Sequence, residues 1–582
     1  MRRLLIFILI FTFLLAPSAA QNERRPAVQI KGLKERVTIT RDERGIPYID
    51  ARSDEDLYFA QGYATAADRL WQMDLFRRTA RGELAEVLGA GPNNVALNQD
   101  KLHRTYGFAQ AAEAEVAQAS PKSLAVIEAY ARGVNAYAAS LDPKSLPPEF
   151  QLLQFNFRPW NPADSFIIAK IFFEALSDTW RLDIMRQALS SLPEEKRRAL
   201  LPEISPLDVL VVGKDTKVRP ASARLQPHSA PLSSEALAAL AHNQAVAASA
   251  LDRIGFYADG LAASNNWVVS GSRTVTGKPL LADDPHLRPS APSIWHMVHL
   301  TAPGMRVAGI TAPGVPGVII GHNERIAWGF TNVGPDVQDV YIEKFDPENP
   351  RRYQTPQGWQ DAVIRQEQIK VRKGVGSSEY DTVVHEVTVT RHGPIIFQAD
   401  GKRYALRWTA LDPTKNRPDL SYGLNRARNW KEFKQSLETF TAPTQNIVYA
   451  DVDGHIGYHA AGVVPIRKSG DGSVPYDGST DAGEWTSYIP ISKLPQLYDP
   501  PSGIIVTANQ RIVGTDYPYF LTHSWATPYR ARRIFDLLNE KQKHSIDDFR
   551  RIQGDVYSIA GVLFAQEAVK LLRPKLTASD EK

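Results

Sequence analysis

The pattern of apolar residues changes abruptly at Ser264, and this change constrains the fold more than any other feature of the chain. Before it, from Lys214 to Ala262, runs a poorly patterned segment rich in Ala, Ser and Pro. After it come short apolar runs broken by Gly and Pro, among them Trp267-Val268-Val269, Leu280-Leu281-Ala282, Trp295 to Val298, Arg306 to Ile310, Val318 to Ile320 and Ile326 to Gly329. Runs of this length between turn residues read as strands, and a second such block covers Val363 to Trp408. Upstream the spacing is helical. Ser53 caps a stretch in which Leu57, Ala60, Ala64, Ala67 and Trp71 share one face, and Asp68 and Arg69 read as a structural polar pair within it. Helical spacing recurs from Ser123 to Ser140 and from Asp164 to Leu201, where Phe172, Phe173, Leu176 and Trp180 give one helix an aromatic face. It returns at Trp430 to Leu437 and Arg530 to Leu538. Helices, then strands, then helices predict an α+β chain with layers packed on sheets.

The 582 residues carry 68 basic and 64 acidic side chains, a net charge of +4 dispersed along the chain. No basic stripe interleaved with aromatics argues for nucleic acid. There is no cysteine, which excludes disulfides, thiol nucleophiles and thiolate metal sites. Met1-Arg2-Arg3, the apolar run Leu4 to Ala16 and Pro17-Ser18-Ala19-Ala20 read as a secretory signal. That run is shorter than the roughly 20 residues a membrane span needs. The expectation is a periplasmic or secreted protein with no membrane segment after signal removal.

Ser264 stands where the unpatterned segment ends and a strand begins. One cut before it would create an N-terminal serine carrying both a nucleophile and a free α-amine, whose reference pKa of about 7.7–8.0 suits a base near neutral pH. Position alone leaves an ordinary loop serine as the alternative.

Ser264-Asn265-Asn266-Trp267, with Asp283-Asp284-Pro285-His286 after it, resembles the start of the catalytic β chain of the penicillin acylase family. These are N-terminal-nucleophile amidohydrolases made as one precursor and cut before the serine. Arg41 to Ile49, Gly62 to Asp74 and Gly82-Glu83-Leu84-Ala85-Glu86 also resemble the family, and matches run in order from Val37 to Gln553. The resemblance implies an αββα four-layer sandwich. It divides the chain into a signal peptide (1–20), an α-chain region (21–213), a candidate spacer peptide (214–263) and a β-chain region (264–582). The α and β chains of the one precursor would stay associated. The implied substrate is a small N-acyl compound of the penicillin, cephalosporin or acyl-homoserine lactone type, cut at a linear amide. An acyl pocket built partly from the Phe172 region is also implied.

By the same resemblance Ser264 is the nucleophile and its own α-amine the base. The oxyanion donors would be the backbone N–H of Val333 and the side chain of Asn446. His286 would tune the amine or orient a water, and Arg467 would support the nucleophile's network. Read from the residues alone, Asn446 is a turn residue before a strand, His286 holds a turn after Pro285, and Arg467 is a surface arginine at a strand end. Asp336, Gln338 (through its carbonyl) and Asp339, with Asp183 from the α-chain region, match the family's structural calcium site. Without the resemblance, Asp336 and Asp339 read as paired surface aspartates.

The rival enzyme class, a Ser-His-Asp hydrolase, lacks its G-x-S-x-G signature, and the one S-x-x-K lies in the polar tail at Ser579 to Lys582. A different reading is a non-catalytic exported binding protein, or an inactive fragment, that keeps the fold. Family β chains continue beyond the polar tail, so a shortened β chain is expected here.

Overall fold

The structure, a computed structural model, describes residues 28–572 apart from 178, 203, 217–231, 254–262, 287–288 and 416–419. The expected signal peptide, most of the Pro- and Ser-rich part of the candidate spacer and the polar tail lie outside the described residues.

Ser53 caps the helix Asp54–Arg81 by accepting from the Asp56 N–H, and three acids occupy its first turn. The helix kinks at Arg69, whose φ of −143° is not helical. The expected Asp68–Arg69 pair does not form. Asp68 instead bonds Arg41 at 2.9 Å and His296 at 3.0 Å, tying the helix to the first and third strands of the main sheet.

That sheet has nine strands. In spatial order they are Thr38–Arg41, Pro47–Asp50, His296–Ala302, Met305–Thr311, Ile320–Asn323, Ile326–Asn332, Gln445–Asp451, Ile456–Ala461 and Gln496–Tyr498. One face packs on the first helix and on Trp430–Leu437: Leu57, Ala60, Phe433 and Leu437 meet Val298, Trp328, Ile447 and Tyr449. The other face meets a three-stranded sheet, Ile504–Thr507, Ala263–Val269 and Leu280–His286. Val268 joins Val448, Ala450 and Tyr458 in the seam between the sheets. Trp267 and Val269 point the other way, onto Ile534, Leu538, Phe549 and Ile552 of the helices Tyr529–Asn539 and Ile546–Gln553. The order is therefore helix, sheet, sheet, helix, as expected. A six-stranded sheet built around Val363–Arg372, Tyr380–Thr390 and Gln338–Glu343 stands beside this sandwich.

Two helical expectations are refined. The aromatic stretch is two helices, Pro162–Leu176 and Trp180–Leu189, so Trp180 starts the second rather than extending the face of Phe172 and Leu176. The break is held by the Gln338 side chain, whose Oε1 accepts the N–H groups of Thr179 and Trp180 at 2.8 and 3.2 Å. The Ala-rich part of the candidate spacer is a packed helix, Ser234–Arg253, with Ala236, Leu240, Ala247 and Ala250 buried. Among the described residues no helix is long and apolar enough to cross a membrane.

Candidate active site

Ser264 is the second residue of a strand paired on both sides, with Leu280–His286 and with Ile504–Thr507. Side chains alternate along a strand. Ser264, Asn266 and Val268 therefore face the nine-stranded sheet, while Asn265, Trp267 and Val269 face the outer helices.

Ser264 is 7% exposed and borders a cavity of about 240 Å³. One wall of the cavity is a face of the helix Pro162–Leu176: Ser165, Phe166, Ala169, Phe172, Phe173 and Leu176. Leu176 marks the end near Ser264, because its carbonyl accepts from the Asn332 side chain at 3.0 Å and Asn332 lines the cavity with Ser264. Trp295, Ile319, Phe330 and Phe440 contribute to the remaining walls. Phe172 packs against Trp295 with ring centroids 5.9 Å apart.

Two residues that the sequence reading did not single out hold the serine. Asn509 Oδ1 accepts the Ser264 N–H at 2.9 Å, and Asn509 Nδ2 lies 3.4 Å from Ser264 Oγ and donates to the Asn332 carbonyl at 2.9 Å. Asn509 has a φ of 66°, a left-handed conformation that asparagine tolerates better than most residues. Arg530 donates through Nη1 to the Ser264 carbonyl at 2.8 Å and to Asn265 Oδ1 at 2.7 Å, and through Nη2 to Asn509 Oδ1 at 3.0 Å. Burial lowers the Arg530 pKa, and Asp284 opposes that shift. The local signals were an asparagine two residues after a strand and an arginine in the first turn of a helix. Neither says what the side chain will meet 245 or 266 residues away.

Among the expected site residues, His286 borders the same cavity, and in the strand register it pairs with Ala263, across from the Ala263–Ser264 bond. Its Nε2 lies 2.8 Å from Asp284 Oδ2. The other three are corrected. The Val333 N–H donates to the Thr444 carbonyl at 3.2 Å, extending the strand ladder, so it is not a free donor for an oxyanion. Asn446 is fully buried; its Nδ2 bonds Thr331 Oγ1 and the Asn332 carbonyl, an acceptor it shares with Asn509, and its Oδ1 accepts from Tyr458. Arg467 does not reach the serine. It grips Asp339 with Nε and Nη2, both at 2.7 Å, and Asp336 Oδ1 at 3.3 Å.

The expected calcium ligands meet around that arginine. Arg186 Nη1 bonds Asp183 Oδ1 at 3.2 Å, and Trp485 donates to Asp339 Oδ2 at 2.5 Å. Burial, then the neighbouring Asp336 carboxylate, raises the Asp183 pKa. Two guanidinium groups thus answer three carboxylates. Among the described residues no three acidic or imidazole groups stand ready to hold one ion. As arranged, the set does not fit calcium, and no step below passes through a metal.

Two stacked sheets between helix layers, with a serine near the start of a central strand beside an apolar cavity, define a chain built like an N-terminal-nucleophile hydrolase. Residues 36–581 match the penicillin amidase family, and the chain belongs to it. It is 34% identical over 546 residues to the acyl-homoserine lactone acylase QuiP of Pseudomonas aeruginosa, covering 91% of this chain and 61% of that protein. It is 31% identical to the penicillin acylase 2 proenzyme of a Pseudomonas species, covering 95% of this chain and 67% of that one. A solved penicillin G acylase from Alcaligenes faecalis matches 55% of this chain and 57% of its own at 27% identity, with a TM-score of 0.48.

Proposed function

We propose that this chain is a self-processing amidohydrolase that transfers an apolar acyl group from a linear amide to Ser264 and then to water. The observation that carries the reading is the position of Ser264, at the border of an apolar cavity with the Asn509 amide beside its hydroxyl.

In the continuous chain Ser264 Oγ would attack the Ala263 carbonyl carbon. The C–N bond breaks, the proton passes from oxygen to nitrogen, and water hydrolyses the resulting ester to leave Ser264 with a free amine. Asn509 Oδ1 already accepts from that nitrogen and would go on doing so. In hydrolysis the amine takes the Oγ proton, Oγ bonds the substrate carbonyl carbon, and the amine returns the proton to the leaving nitrogen. Asn509 Nδ2 is the donor placed to meet the developing oxyanion, in place of Asn446.

The acyl group follows from the cavity. Its lining runs along the helix from Leu176 to Ser165, eleven steps and roughly 16 Å at about 1.5 Å per residue. Tetrahedral carbons about 1.5 Å apart advance about 1.3 Å each, so an extended chain of about twelve carbons matches that length. Among the described residues no lysine or arginine lines the cavity to meet an acidic acyl group such as glutaryl. The relatives' names supply two candidate amines, a homoserine lactone and a penicillin nucleus. Export through residues 1–20 belongs to the same proposal.

Intact mass and N-terminal sequencing, followed by hydrolysis assays on N-dodecanoyl-homoserine lactone and penicillin G, test it. A fragment starting at Ser264 that releases dodecanoate is expected. A stable uncut chain would favour the binding-protein reading.

A further inference from the structure

The seam between the two sheets is where an all-apolar layer would be expected, and next to Ser264 it is polar. Thr507 Oγ1 donates to Asn266 Oδ1 at 2.5 Å, and Thr331 and Thr507 share a 2.6 Å hydrogen bond. Asn446 Nδ2 donates to Thr331 Oγ1 at 3.2 Å, and Tyr458 donates to Asn446 Oδ1 at 2.7 Å. Asn266, Thr331, Asn446, Tyr458 and Thr507 are each at most 1% exposed. Buried polar chains are costly when left incomplete and rigid when satisfied, so a chain at this place calls for an explanation.

We infer that Asn446, backed by Tyr458, is a positioning residue that aims the Asn509 amide at the reacting carbonyl. The link is the Asn332 carbonyl, which accepts from Asn446 Nδ2 at 3.1 Å and from Asn509 Nδ2 at 2.9 Å. One Asn509 N–H is spent on that carbonyl, and this fixes the second toward Ser264 Oγ. Arg530 and the Ser264 N–H pin the Oδ1 end, so the amide cannot flip. Asn446 in turn uses both of its N–H groups, on Thr331 and Asn332, and its oxygen is held by Tyr458. Each bond leaves the next no freedom. Asn446 touches neither cavity nor serine, and the expected effect is on turnover rather than on binding.

The inference rests on the acyl-transfer reading, and its test separates the two. Asn446→Ala and Tyr458→Phe are compared with wild type and with Val448→Ala, which trims an apolar side chain in the same seam from the same strand. Three quantities are read: kcat and KM for a dodecanoyl amide, dodecanoate affinity, and the rate at which freshly made chain cuts before Ser264. Asn446→Ala is expected to lower kcat by about ten- to a hundred-fold, the size typical of residues that orient a reacting group from behind, with KM and dodecanoate affinity within about two-fold. Tyr458→Phe should lower kcat by about three-fold, on the scale of one weakened hydrogen bond. Val448→Ala should lower Tm and leave kcat alone. Unchanged kcat in both polar variants, or a loss of kcat matched by Val448→Ala at equal Tm, overturns the inference. If Asn446→Ala does not fold, Tyr458→Phe carries the test. If wild type cuts itself but hydrolyses no amide, the acyl-transfer reading fails, and the cutting rate still decides the role of Asn446: slower cutting in the polar variants alone supports it, and equal cutting overturns it.

Discussion

Asn509 engages Ser264 from both ends of one amide: its Oδ1 accepts the serine N–H at 2.9 Å, and its Nδ2 stands 3.4 Å from the serine Oγ. One planar group therefore relates the future amine to the nucleophile. It also reaches Arg530 and the Asn332 carbonyl.

Asn509→Ala should accordingly lower kcat by about 10²–10³-fold, the usual cost of an oxyanion donor, with little change in KM. Steady-state kinetics on matured protein measures this. A change confined to KM would instead make Asn509 a residue of substrate binding.

Arg467→Ala should damage the fold and spare the chemistry. The guanidinium is 3% exposed and answers two carboxylates that are themselves nearly fully buried. Removing one partner of a buried ion pair leaves its charge uncompensated, at a cost of about 3–5 kcal/mol. Urea unfolding should record that loss, while kcat per folded molecule at low temperature stays close to wild type. A large drop in kcat at unchanged stability would return Arg467 to the active site.

The contrast between Asn509 and Arg467 shows what a sequence can tell. Strands were legible because Trp267, Val268 and Val269 repeat an apolar run bounded by turns, and the first helix because Ser53 and its acids mark a start. Ser264 was legible as a junction in pattern. What the sequence did not supply was the partner that each of Asn446, Asn509 and Arg467 meets across the sheets. Asn446 lies near the start of one strand and Asn509 two residues past the end of another, and only the pairing of Ile504–Thr507 with Ala263–Val269 decides which of them reaches the serine. Arg467 closes the short strand Pro465–Arg467, and sheet packing delivers it to Asp339, 128 residues away. The helix break before Trp180 was hidden for the same reason, since its cap is the side chain of Gln338.

Asp283 links stability to pH. Both carboxylate oxygens are buried without a hydrogen bond of normal geometry, and burial raises the pKa well above the usual carboxylate value. Unfolded, the group titrates near about 3.9. Between that value and the raised one the folded chain holds a proton that the unfolded chain has lost, so Asp283 lowers stability as pH rises from about 4. Asp283→Asn removes this titration. Its stability relative to wild type should grow between pH 4 and pH 8, by at least about 1 kcal/mol, the order of cost of an unsatisfied buried group. Parallel stability curves for the two proteins would show that Asp283 is ionised in the folded chain.

The length of the cavity makes chain length the sharpest test of specificity. Each methylene buried against Phe166, Ala169, Phe172 and Phe173 should contribute about 0.8 kcal/mol, or roughly four-fold in kcat/KM. In a series of N-acyl-homoserine lactones kcat/KM should therefore climb steadily from butanoyl and level off near about twelve carbons, where the lining along the helix ends. Ala169 lies seven residues from Leu176, roughly 10 Å along that helix. Ala169→Phe should move the plateau to about eight carbons and leave butanoyl turnover unaltered, since the added ring meets only the far part of a longer chain. If instead every chain length loses rate equally, the acyl chain does not run along this helix face, and the cavity serves another part of the substrate.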